Sequence, residues 1–252
     1  GSYIAGVYYP DKTKVGWWKN GYPEYFAKVL NAPNWIGINV CIGEEPLDLH
    51  QCRSVKGFRR ELNMKEGWYR RSYTVELQNS LEVSVNVTRF LSLDMNELGA
   101  INFELQLLNA DAEVIFAPYL DSGITNKDAN WEEKFWKTLE AKAEGARSFI
   151  TAKTLKTEFH ACTFMESRLY RNQEELTYEA EAETEKEKVV FRYKINASKG
   201  DTVSLQKYGG YVTDMNHDRD QLVEAASNVL SKATDLGFDK LLELQKEAWG
   251  RI

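Results

Sequence analysis

Residues 69–91 read YRRSYTVELQNSLEVSVNVTRFL, and this stretch decides the fold. Tyr69, Tyr73, Val75 and Leu77 hold odd positions in its first half, against Arg70, Ser72, Thr74 and Glu76. Leu81, Val83, Val85, Val87 and Leu91 do the same in its second half, against Glu82, Ser84, Asn86 and Thr88. A period of two held this long puts one face in a core and the other in water. Ile101–Leu107 repeats it, with Ile101, Phe103, Leu105 and Leu107 alternating with Asn102, Glu104 and Gln106. The segment Lys56–Asn109 therefore predicts consecutive strands of an antiparallel meander, with Phe58–Leu62 leading into it.

Parity also sets the first turn. A two-residue Asn79-Ser80 loop would put Leu77 opposite Glu82 and mix the two faces. A three-residue loop, Gln78-Asn79-Ser80, pairs Leu77 with Leu81, Val75 with Val83 and Tyr73 with Val85. Sliding that loop by one would oppose Arg71 and Arg89, which like charge disfavours.

Outward from the meander, Tyr3–Tyr9 predicts a short strand stopped by Pro10-Asp11. Lys12–Leu30 reads as a loop rich in aromatics: Trp17, Trp18, Tyr22, Tyr25 and Phe26. Trp35–Ile42 and Val114–Leu120 predict strands. Asn130-Trp131-Glu132-Glu133 has the form of a capping box, with Trp131, Phe135 and Leu139 then sharing a helical face. Strands are expected again at Ser148–Ala152, Phe159–Met165, Leu176–Ala182, Val189–Ile195 and Val203–Gln206. The charge run Glu179–Lys188 reads as a solvated hairpin tip.

After Gly209-Gly210 the period changes to 3.6. Leu222, Ala226, Val229, Leu230 and Ala233 predict a helix stopped at Gly237. A second helix carries Leu241, Leu242, Leu244, Ala248 and Trp249. It reaches the last residue with no polar tail, which reads as a helix made to pack on polypeptide further along, and so as a fragment. About a dozen short strands followed by helices indicate a mainly β chain. The expected architecture is a large antiparallel β-sandwich with C-terminal linker helices, and a closed barrel is the alternative. The domain division is residues 1–213 for the sandwich and 214–252 for the helical linker.

The chain has 252 residues, 43% of them hydrophobic, enough for one large core. A net charge of −6 argues against nucleic acid and anionic membrane surfaces as partners. Cys41, Cys52 and Cys162 are odd in number and widely spaced, so they form neither a disulfide framework nor a metal motif. With no spanning run, this favours a cytoplasmic setting, a periplasmic one staying open.

There is no phosphate-cradling glycine loop, Gly-x-Ser-x-Gly elbow or His-Glu-x-x-His. His160 and Cys162 share a strand face, but two donors make neither a metal site nor a nucleophile pair. Asp94 with Glu97, and Asp121 with Asp128, could serve as paired carboxylates. The economical reading is surface solvation. Arg71 and Arg89 fall on the apolar-parity face. Stems lying on the sheet, with heads reaching water or a loop carboxylate, account for them more simply than ligand binding. Trp17, Trp18, Tyr22 and Tyr25 are the substrate-binding candidates, because aromatic faces stack on sugar rings. The competing reading folds that loop back onto the sandwich. No catalytic residue, metal ligand or resident cofactor is assigned.

Several stretches together resemble the N-terminal domain of family 65 glycoside hydrolases, the maltose, trehalose and kojibiose phosphorylase family. They are Gly1–Tyr9 (GSYIAGVYY), Leu30–Val40 (LNAPNWIGINV), Phe58–Tyr73 (FRRELNMKEGWYRRSY), Val87–Asp94 (VTRFLSLD) and Leu120–Trp136 (LDSGITNKDANWEEKFW). The most specific parts are Gly67-x-Tyr69-x-Arg71 and Arg89-Phe90. The resemblance implies a galactose-mutarotase-like supersandwich, linker helices and a separate (α/α)6 barrel carrying the glutamate acid and the phosphate site. It implies a non-catalytic support for that barrel, a share in walling the sugar site, and a contribution to a homodimer interface. The parent activity it implies is inverting cleavage of an α-glucosyl disaccharide, with inorganic phosphate as co-substrate or water in its place. The alternative is a stand-alone carbohydrate-binding sandwich. A sandwich glycosidase using its own acids is the least supported.

Overall fold

A computed structural model describes residues 1–13, 20–127 and 133–252. In chain order the first half carries β1 (Tyr8–Lys12), β2 (Tyr25–Val29), β3 (Ile38–Ile42), β4 (Glu45–Pro46), β5 (Ser54–Asn63), β6 (Trp68–Glu76), β7 (Glu82–Leu91) and β8 (Leu98–Leu107). The second half carries β9 (Ala112–Asp121), β10 (Trp136–Glu144), β11 (Arg147–Thr154), β12 (His160–Arg171), β13 (Glu174–Leu176), β14 (Glu181–Thr184), β15 (Lys188–Ala197) and β16 (Thr202–Thr213). One helix, α1 (Leu222–Trp249), follows. All strand pairings among the described residues are antiparallel.

The large sheet runs β10-β11-β12-β16-β8-β7-β6-β5, with β13 paired to β12. The smaller sheet runs β14-β15-β9-β3-β4, and β1 pairs β2 separately. Neither sheet closes on itself, so the architecture is a sandwich rather than a barrel. The β6–β7 register is the one parity requires: Tyr73 faces Val85, Val75 faces Val83, and the Leu77 N–H donates to the Leu81 carbonyl.

The main core lies between the sheets. Tyr73, Val75, Val83, Val85, Phe103, Leu105, Val203 and Leu205 from the large sheet meet Val40, Ile42, Val114, Phe116, Phe191 and Tyr193 from the small one. Trp35 lies flat over a cross-strand glycine pair, Gly99 opposite Gly209. A Cβ on Gly99 would come within 2.4 Å of the indole, and one on Gly209 within 2.8 Å. Lys207 is fully buried between the sheets, its Nζ donating to the Gly37 and Tyr119 carbonyls at 2.9 Å each.

The other face of the large sheet is covered by α1. Leu222, Ala226, Leu230, Ala233, Phe238 and Leu241 pack on Phe90, Leu98, Phe149, Phe164, Tyr208 and Val212. The apolar stripe of the helix is thus covered by the chain's own sheet. Arg147 fastens its first half, donating to Glu166 at 2.7 Å and to the hydroxyls of Ser227 and Ser231. Gln245, 1% exposed, fastens its second half to two hairpin turns. Its amide donates to the Gly67 carbonyl and its oxygen accepts from the Leu93 N–H.

Three expectations need correcting. The helix drawn through Phe135 and Leu139 is not formed. Residues 133–135 are irregular and β10 begins at Trp136, with Leu139 exposed at a register shift between Thr138 and Glu140. Phe135 and Trp136 instead fill a small core with Val7, Tyr9 and Leu30; Asn130 and Trp131 lie outside the described residues. Secondly, the first strand is Tyr8–Lys12, so Pro10 sits inside it. That is tolerable because β1 pairs on one side alone. Thirdly, the aromatic loop contains a strand, β2. The two expected C-terminal helices are present, the two halves of α1, and meet at Gly237, whose φ of 76° and ψ of 166° no helical residue adopts.

Candidate functional site

Antiparallel pairing places Arg60 directly opposite Arg71, and Leu62–Tyr69–Arg89–Ile101 in the next row of the same face. This is the core-parity face, but at the β5 edge the smaller sheet no longer covers it. A cleft of about 240 Å³ opens there. Ile36, Ile38, Val87, Ile101 and Phe103 give it apolar walls, and Tyr69, Arg71 and Arg89 a polar mouth. A one-residue bulge between Lys56 and Arg59, with Gly57 at φ 62°, lets β5 meet this register.

Each arginine head lies over an aromatic ring. The Arg89 guanidinium is 4.7 Å from the Tyr69 centroid, Arg71 is 5.5 Å from Tyr73, and Arg60 is 5.0 Å from Phe58. Phe58 in turn stacks on Tyr73 at 5.8 Å. Burial raises the Tyr73 phenol above its ordinary pKa, and the nearby Arg71 charge offsets part of that. Arg60 and Arg89 are exposed, so of the two expected settings for such heads, water or a loop carboxylate, it is water that they reach. Among the described residues no acid pairs with Arg60, Arg71 or Arg89. Parity flagged Arg71 and Arg89. Arg60, Ile36 and Ile38 join them only through the bulged β5–β6 register and the seating of the small sheet.

The substrate-binding candidates lie elsewhere. Trp17 and Trp18 are outside the described residues. Tyr22 is 58% exposed in the turn before β2, and Tyr25 is 50% exposed at its start. The β1–β2 hairpin belongs to the cluster with Phe135, Trp136, Ala152 and Ala161, at the β10–β12 end of the large sheet. The cleft is at the β5–β7 end, so Tyr22 and Tyr25 do not line it.

The other candidates resolve individually. Cys162 is fully buried in the α1-facing core, and burial pushes its thiol up to about 12, which keeps it protonated and unreactive. His160 Nδ1 is 2.7 Å from the Glu158 carbonyl. Glu97 meets His217 Nε2 at 2.7 Å, and Asp121 accepts from the Gly123 N–H. Asp128 is outside the described residues.

Gly67, in the most specific stretch of the sequence, has a structural task. Its φ is 69°, and a Cβ there would lie 2.6 Å from Gln245 Nε2 and 2.8 Å from the Trp249 indole. The β5–β6 turn is therefore the seat of the C-terminal end of α1, where Trp249 also donates to the Met64 carbonyl.

Comparison with known proteins places this architecture. Maltose phosphorylase of Bacillus subtilis is 37% identical over 249 residues, covering 99% of this chain and 32% of that protein. Alpha,alpha-trehalose phosphorylase of Thermoanaerobacter brockii is 27% identical over 259 residues, covering 98% of this chain and 32% of that one. A solved structure titled putative kojibiose phosphorylase from human microbiome superposes with a TM-score of 0.83 at 20% identity, covering 99% of this chain and 32% of that one. The chain thus spans about a third of the length of these relatives. Residues 1–252 match the family described as glycosyl hydrolase family 65, N-terminal domain. With a sandwich capped by one kinked helix and a sequence matched from end to end, the chain belongs to glycosyl hydrolase family 65, as its N-terminal domain.

Proposed function

We propose that this domain is the non-catalytic support of an enzyme that cleaves α-glucosyl disaccharides with inversion, inorganic phosphate serving as co-substrate. The observation that carries the reading is the end-to-end family match, together with relatives that are maltose and trehalose phosphorylases. Inverting phosphorolysis needs one carboxylic acid to protonate the leaving oxygen while phosphate attacks the opposite face of the sugar. Glu97 is engaged with His217 and Asp121 with its own turn, so neither offers a free acid here. The reactive acid, on this reading, belongs to an (α/α)6 barrel outside these residues, against which the sandwich packs. On this reading Trp17, Trp18, Tyr22 and Tyr25 form part of the sugar-site wall, and a homodimer is the working assembly.

The test is incubation of the 252-residue chain with maltose, trehalose and kojibiose, with and without phosphate. Neither glucose nor glucose 1-phosphate should accumulate, whereas a polypeptide that includes the barrel should release one or both. Turnover by the 252 residues alone refutes the supporting role. Separate Trp17→Ala and Trp18→Ala changes should weaken sugar binding by the longer polypeptide, followed by tryptophan fluorescence; unchanged affinity removes them from the wall.

A further inference from the structure

We propose that the cleft between β5–β7 and the Ile36–Ile38 segment binds a small phosphorylated molecule of about hexose size. Two arginines, Arg71 and Arg89, line the mouth of the cleft, and Arg60 stands opposite Arg71 on the neighbouring strand. Like charges directly opposite on neighbouring strands destabilise a sheet. Here the repulsion is left standing in a chain whose net charge is −6. Elsewhere in or beside the same sheet four arginines meet acids, Arg53 with Glu76, Arg59 with Glu61, Arg147 with Glu166 and Arg168 with Glu175, whereas Arg70 and Arg171 donate to the Thr88 hydroxyl and the Asn196 carbonyl. Among the described residues no acid pairs with Arg60, Arg71 or Arg89, which leaves the two at the cleft mouth open to an anion from outside.

Chemistry and size narrow the ligand. The two positive charges at the mouth exceed what one carboxylate balances. A phosphate monoester brings close to two negative charges and three acceptor oxygens, which arginine forks match. The Arg89 and Arg71 heads already lie over the Tyr69 and Tyr73 rings, so less side-chain freedom is lost on binding. The volume of about 240 Å³, below the usual ~300–1,000 Å³ range of drug-sized pockets, suits a ligand of about hexose size. The walls of Ile36, Ile38, Ile101 and Phe103 suit the carbon skeleton of an ester better than free phosphate. The inference does not depend on how the barrel works.

Calorimetric titration of the 252-residue chain with glucose 6-phosphate, inorganic phosphate and glucose tests it. Glucose 6-phosphate should bind saturably, at least tenfold tighter than glucose, and more weakly as salt is raised. Arg71→Met and Arg89→Met should each weaken it at least tenfold. Arg89 is exposed, so its replacement leaves the core intact and decides the matter even if Arg71→Met fails to fold. Inorganic phosphate binding as tightly as the ester would support the phosphoryl contact and overturn the role of the apolar walls. Absence of saturable binding by either phosphate, or affinities unchanged in both variants, overturns the site.

Discussion

Replacing Gly67 by alanine should cost far more than the same change at Gly145, although both turns hold a left-handed glycine. Gly67 has φ 69° and Gly145 φ 59°. Holding alanine in that region costs ~1–2 kcal/mol at either place. Gly145 has no atom within 4 Å of its virtual Cβ, so that is its whole penalty. At Gly67 the new methyl would sit 2.6 Å from Gln245 Nε2 and under 3 Å from two Trp249 ring atoms. The end of α1 must move away, which breaks the Gln245-to-Gly67 hydrogen bond, worth ~0.5–1.5 kcal/mol, and uncovers part of the indole. The expected totals are ~2–4 kcal/mol for Gly67→Ala and ~1–2 kcal/mol for Gly145→Ala. Urea denaturation measures both, as a shift in midpoint at unchanged slope. In a Trp249→Ala background the excess at Gly67 should shrink toward the Gly145 value, because part of the obstruction is gone. Equal penalties in the native background would show that the helix end does not rest on this turn.

Three further outcomes are expected. Lys207 is buried with no carboxylate, and desolvation holds its pKa well below the ordinary 10.5. The unfolded chain therefore binds a proton that the folded chain gives up, so this group adds stability as pH rises from its folded pKa toward ~10.4. Lys207→Met should remove that increment from stability curves taken between neutral pH and pH 10, and an identical slope in the variant contradicts it. Arg147→Met should cost ~1–3 kcal/mol and speed amide hydrogen exchange over the first half of α1, leaving the β6–β7 amides protected; uniform acceleration would mean the helix has no separate anchor. With a thiol at about 12 and no exposure, Cys162 should resist an aromatic disulfide reagent until the chain is denatured, while the half-buried Cys41 and Cys52 react first. Early labelling of Cys162 would mean that α1 opens readily.

The meander was legible because parity is a local rule. Once Leu77 and Leu81 must share a face, a three-residue turn follows, and the observed register keeps it. The capping-box pattern before Phe135 misled because tertiary packing outweighed local propensity. Phe135 and Trp136 find a core with Tyr9 and Leu30, and Trp136 pairs with Thr154 on the neighbouring strand. Gly237 was read correctly as a break, but sequence could not show that both halves share one sheet as a floor. For the cleft, the sequence marked Arg71 and Arg89 as charges on the wrong face. It could not show that their carboxylate was missing, since that depends on every acid that the fold brings near. Nor could it give the Ile36–Ile38 wall, which stands over Arg89 only because β3 pairs with β9 from across the chain.

The position of β16 has a consequence for synthesis. This strand lies between β8 and β12, joining the β5–β8 meander to the β10–β12 ladder. It is also the last strand made. Until Thr202–Thr213 has left the ribosome, two half-sheets wait with bare edges, and such edges recruit foreign strands. The nascent chain is therefore at its most vulnerable just before the seam is stitched, and α1, emerging next, seals the join from behind.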